Sequence, residues 1–105
     1  MRVCALALPM ILLTAATHAT LRVRAYVCTA NGSHQPERFK FGRGHFHVSG
    51  SENLCNQNGT TCRTRSARFS ATDDESFDFH YNAVTRAYTY DDSTGRRDAG
   101  TCRAG

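Results

Sequence analysis

The chain has 105 residues, carries 13 Lys and Arg against 9 Asp and Glu for a formal charge of +4, and is 40% hydrophobic and 10% aromatic. That length suits one domain with a thin core, and no repeat, linker or composition break marks a second. The mild positive excess favours anionic partners such as phosphates or acidic glycans, with a coding bias toward arginine as the plainer explanation.

Residues 1–19 read as a secretory signal peptide. Met1-Arg2-Val3-Cys4 gives a basic start, Ala5 to Ala16 is almost wholly apolar, and Ala16 and Ala19 hold the small-residue positions for cleavage after Ala19. The apolar run is shorter than the roughly 20 residues of a spanning helix, so no membrane anchor is expected. Cleavage leaves residues 20–105 as one secreted domain. It also takes away Cys4, turning five cysteines into the even set Cys28, Cys55, Cys62 and Cys102. An even set in a short exported chain predicts two disulfides. Loop entropy does not separate two of the pairings: Cys28–Cys102 with Cys55–Cys62 is worth about 4.5 and about 2.5 kcal/mol, and Cys28–Cys55 with Cys62–Cys102 about 3.6 and about 3.9. The turn-rich interval between Cys55 and Cys62 favours the first. No Cys-x-x-Cys pair supports zinc, and no metal or cofactor is expected.

From Thr20 to Ala30, Leu21, Val23, Ala25 and Val27 recur at spacing two, predicting a first strand. Asn31-Gly32-Ser33 follows as a turn and a glycosylation acceptor, and Asn58-Gly59-Thr60 repeats the combination, so Asn31 and Asn58 are candidate glycosylation sites. Glu37 to Ser49 reads as a hairpin turning at Gly42-Arg43, with Phe39 opposite Phe46, Lys40 opposite His45 and Arg38 opposite His47. The face away from the rings then holds Arg38, Lys40, His45 and His47, a candidate anion-binding patch. Its plainer reading is a solvated sheet face. A His-x-His metal site would need a third ligand that no spacing supplies.

Residues 50–59 are turn-rich, and Thr60 to Ala71 reads as one strand. Thr72 to Ser76 is an acidic turn whose carboxylates are taken as solvated. Phe77 to Tyr90 is the clearest element, a hairpin about Val84 and Thr85 that sets Tyr81 opposite Tyr88 and Phe79 opposite Tyr90. Asp91 to Gly100 reads as a loop delivering Cys102. No stretch shows a convincing helix of ten residues, so the fold expected is mainly β, a small antiparallel sheet or sandwich stapled by two disulfides.

Tyr26-Val27-Cys28 just after the leader, with Cys102 three residues from the end, resembles the small secreted fungal effectors that carry an N-terminal Tyr/Phe/Trp-x-Cys motif, many with a ribonuclease-like fold. The resemblance implies pairing of Cys28 with Cys102 and, as an alternative architecture, an α+β ribonuclease-like fold. Guanyl-type ribonucleases use histidine, glutamate, arginine and histidine in that order. His34 or His47, Glu52, Arg65 or Arg68, and His80 keep that order here, although the Tyr-x-His motif and the helix expected after the first strand are missing. The expectation is a secreted, monomeric effector-type protein that binds a host protein or surface component without catalysis. The alternative is a secreted endoribonuclease, or an RNA-binding relative without activity, using those residues.

Overall fold

A computed structural model describes residues 21–55, 57, 59–74 and 76–105. The expected leader, Thr20 and the Asn58 acceptor lie outside the described residues. The described chain is all β: β1 Arg24–Ala30, β2 Glu37–Gly42, β3 His45–Val48, β4 Thr61–Arg65, β5 Arg68–Asp73, β6 Phe77–Asn82, β7 Ala87–Asp92 and β8 Arg97–Ala104. They form one antiparallel sheet in the order β3-β2-β1-β8-β7-β6-β5-β4. Two meanders, β1 to β3 and β4 to β8, are thus joined where the first strand pairs with the last. Among the described residues there is no helix, so the α+β alternative is not the arrangement adopted.

The sheet curls on itself. In a flat sheet β2 and β6 would lie about 19 Å apart, four strand spacings of about 4.8 Å. Yet the Phe39 and Phe79 rings are 5.0 Å apart, Phe41 and Phe69 5.1 Å, and Phe46 and Phe77 5.5 Å. Period-two alternation explains the convergence, because Phe39, Phe41, Phe69, Phe79, Tyr81 and Tyr88 all fall on the concave face and are buried there. The 77–90 hairpin has the expected register, Phe79 opposite Tyr90 and Tyr81 opposite Tyr88. Its turn is fixed by Asn82, whose side-chain oxygen accepts from the Val84 amide at 2.9 Å.

Curling leaves β3 and β4 as the two edges of the sheet. Residues 53–55 cover the first: the Leu54 amide donates to the Phe46 carbonyl at 2.8 Å, and the Asn53 side-chain oxygen accepts from the Phe46 amide at 3.1 Å. The Cys55–Cys62 disulfide then ties this segment to β4. Cys28–Cys102 bridges directly opposed residues of β1 and β8, both buried. Crosslinks of this kind form and persist in oxidising compartments, which is compatible with an extracellular protein.

Three local expectations need correction. In the first hairpin the turn is Arg43-Gly44, so Phe41 opposes Phe46, Lys40 opposes His47 and Gly42 opposes His45. The register moves by two residues, which preserves the faces. Gly44, at φ 74°, supplies the left-handed position that this turn uses. Second, residues 60–71 do not form one strand: the chain reverses at Ser66-Ala67, making the hairpin β4-β5. Third, residues 97–100 are strand, not loop. Asp92 makes the reversal before them, its side chain accepting from the Thr94 amide and hydroxyl and the Arg96 amide, which also holds its carboxyl below the usual range.

Gly100 sits where β8 passes between β1 and β7. A Cβ placed there would lie 2.0 Å from the Thr29 carbonyl oxygen and 2.8 Å from the Ala30 Cα, both backbone atoms. Gly100→Ala is therefore expected to force β1 and β8 apart and to destabilise the protein by about 1–3 kcal/mol. Urea unfolding measures this, and an unchanged midpoint would contradict the close strand approach.

Candidate anion-binding groove

The turn at Ser66-Ala67 has a consequence for charge. Along a single strand, Arg63 and Arg65 would point to one face and Arg68 to the other. Reversal after Arg65 instead places Arg68 directly opposite it, with Arg63 opposite Ser70. All three guanidinium-bearing residues then share the outer, convex face of the sheet and are exposed. Like charges directly across a strand pair are destabilising, so Arg65 and Arg68 carry an electrostatic cost that a bound anion would offset.

Neighbouring strands extend this corner into a groove. One row across the sheet reads Arg63, Ser70, His80, Thr89, and the next but one reads Arg65, Arg68, Asn82. Between them lie Phe69, Tyr81 and Tyr88, whose rings point into the core, so their backbone makes the floor. These residues, with Ala87, line a cavity of about 330 Å³ that crosses four strands, a run of roughly 14 Å. Arginine crowds the β4 end. Ser70, His80, Asn82 and Thr89 add polar groups further along a lining that is mostly apolar, and among the lining residues there is no carboxylate.

Of the expected site residues, Arg65, Arg68 and His80 meet in this groove, whereas His34, His47 and Glu52 do not line it. His34 is exposed in the β1–β2 connection and Glu52 is exposed in the segment after β3. Arg63, Ser70, Asn82 and Thr89 were not singled out in the sequence. The signal for Arg63 was the Arg-x-Arg alternation, but without the hairpin nothing joined it to Arg68.

The basic patch on β2 and β3 forms with its expected members on one face: Arg38, Lys40 and His45 are exposed and His47 half-buried. His47 is held through Nδ1, which donates to the Ser51 carbonyl at 2.9 Å. Its Nε2 lies 3.4 Å from His45 Nδ1, with the rings stacked 5.7 Å apart. This ties up one histidine edge in structural contacts. Among the described residues no group of three His, Cys, Asp or Glu side chains is placed to hold a metal.

At the far end of the strands, Arg96 donates to Glu37 and, at 2.7 Å, to Asp98, while lying 4.7 Å over the Tyr90 ring. Asp73, Asp74, Asp78, Asp91 and Asp92 line an acidic cleft at that same end. Carboxylates thus gather at the end of the strands away from the Arg65-Arg68 corner, with Arg96 and Arg97 paired among them. No helix among the described residues is long and apolar enough to cross a membrane.

The chain matches no protein-family model, no curated protein and no solved structure.

Proposed function

We propose that this is an exported, disulfide-stabilised binding protein of effector type, acting as a monomer on an anionic host or surface component, with the Arg63-Arg65-Arg68-His80 groove as its contact. The observation that carries the reading is the cross-strand pair of Arg65 and Arg68, joined by Arg63, in a groove without a lining carboxylate. Guanidinium forks suit sulfate, phosphate and carboxylate groups, and the serine, threonine and asparagine side chains further along suit neutral hydroxyls. An acidic glycan combines both. Secretion rests on the leader of residues 1–19, and two disulfides accord with it. Asn31 is exposed at the β1–β2 turn, as a glycosylation acceptor would be.

His80 lining the same groove as three arginines favours RNA as the second reading, since phosphodiester chemistry employs imidazole together with guanidinium. General acid–base cleavage needs a second proton-transfer group, and Glu52, His34 and His47 are not groove residues. Binding without turnover is therefore the reading that geometry supports.

A sulfated oligosaccharide and a short single-stranded RNA, each titrated calorimetrically into the disulfide-bonded protein, test the proposal. Arg63→Gln/Arg65→Gln/Arg68→Gln is expected to weaken oligosaccharide binding by about tenfold or more, since each lost charged hydrogen bond is worth about 1.5–3 kcal/mol. Salt should weaken binding to the wild type as well. Unchanged affinity in the triple variant would reject the groove, and RNA cleavage abolished by His80→Ala would replace binding with catalysis.

A further inference from the structure

The interior row of β1 runs outward as Cys28, Tyr26, Arg24, from fully buried sulfur to exposed guanidinium, and Arg22 lies in the segment just before the strand. Leaving the core in this direction, the chain meets a cleft of about 530 Å³ at the end of the curled sheet, opposite the acidic end. Arg22 and Arg24 come from the β1 side and Arg86 from the β6–β7 turn, while Arg103, opposite Val27 and one residue past the inward Cys102, borders the cleft from the outer face. Tyr26 and Tyr81 also line it, their rings 5.2 Å apart. No carboxylate is among the lining residues.

Two features separate this cleft from an ordinary solvated rim. None of its four arginines takes part in the ion pairs among the described residues, which all involve Arg96 or Arg97 near the other end. Its backbone is also fixed: Gly42 lets β2 approach residues 22 and 23 so closely that a Cβ there would lie 2.5 Å from the Val23 Cα, and the Arg43 amide donates to the Leu21 carbonyl at 3.1 Å. Arg86 is held by its amide bond to the Asn82 carbonyl and by accepting from the Cys102 amide at 2.9 Å. Burial raises the Tyr26 and Tyr81 hydroxyls above the usual phenol range, and Arg24 opposes that shift at both, Arg86 at Tyr81. Both guanidiniums thus bear electrostatically on the phenols.

We propose that this end cleft is a second anion site, distinct from the outer groove, which takes a compact, multiply charged phosphate between Arg22, Arg24 and Arg86. Convergence of the β1 end and the β6–β7 turn favours a compact ligand over a polymer lying across it. Three positive charges without an ion pair among the described residues favour a polyvalent anion over a monovalent one. Neutral phenols remain available as hydrogen-bond donors to phosphate oxygen. The phosphate could be free or the end of an ester, and inorganic pyrophosphate and methyl phosphate represent the two sources.

Calorimetric titration of the disulfide-bonded protein with each probe in turn is the test. Saturable binding of either at one site per chain is expected, with the tighter probe naming the source. Arg24→Gln/Arg86→Gln should weaken it by about tenfold or more, while Arg63→Gln/Arg65→Gln leaves it within about twofold. Equal loss in both double variants would overturn the end site and assign phosphate to the groove. The chain has four tyrosines and no tryptophan, so wild-type tyrosine emission offers a check independent of variant folding. Saturation of that emission by the tighter probe supports the site; no saturable heat or emission change with either probe overturns it.

Discussion

Replacing Cys28 and Cys102 together with serine is expected to lower the unfolding free energy by about 4.5 kcal/mol. The bridge spans 74 residues of chain, so its removal returns a large loop entropy to the unfolded state. In the native state it joins opposed residues of β1 and β8, the contact that unites the two meanders. Ordinary domains hold about 5–15 kcal/mol in all, so the variant should be at best marginally folded. Removing Cys55–Cys62, with a separation of 7, should cost about 2.5 kcal/mol. Urea titrations of the two serine pairs give the comparison. A larger loss from the short bridge would mean that the gap between β3 and β4, rather than the β1–β8 seam, governs stability.

Phe79→Ala is expected to cost about 3–5 kcal/mol. Phe79 is fully buried on β6, and its ring lies within 6.2 Å of the Phe39, Phe41, Phe46, Phe69 and Tyr88 rings. It therefore touches both halves of the curled sheet, and truncation leaves a cavity that partners on two sheet faces must close together. Val84→Ala, at an exposed turn position, should change stability by less than about 0.5 kcal/mol and serves as the control. If Phe79→Ala unfolded at the wild-type urea midpoint, the sheet would not close over this ring.

The two predictions draw on features of very different legibility. Aromatic alternation through Phe77, Phe79 and Tyr81 specified both a strand and its partner, because rings at spacing two gain most when another alternating strand answers them. The β4-β5 hairpin was hidden because its turn, Ser66-Ala67, lacks glycine, proline, asparagine or aspartate; Ser66 adopts φ 52° without a residue type that advertises it. Strand β8 was hidden for a different reason. Its sequence, RDAGTCRA, is rich in glycine, alanine and charge, and it is strand because β1 and β7 flank it on both sides. Long-range pairing of this kind leaves no local period to read.

The site was legible in the same uneven way. Arg65, Arg68 and His80 were singled out for their order along the chain, and they do meet, but through a turn and a sheet register that order does not encode. Glu52, His34 and His47 fit the same order and lie elsewhere. Sequence order reports residue types, whereas a site needs residues on one face. Arg22, Arg24 and Arg86 of the end cleft are far apart along the chain and line one cleft where the end of β1 comes beside the β6–β7 turn.

The anion-binding account is tested most directly by amide chemical-shift mapping of the isotopically labelled protein during titration with the sulfated oligosaccharide. Saturable shifts should concentrate on Arg63, Arg65, Arg68, Ser70, His80 and Thr89, and should fade as salt is raised. Shifts confined to the acidic end around Asp73, Asp78 and Asp91, or none at saturating ligand, would contradict it.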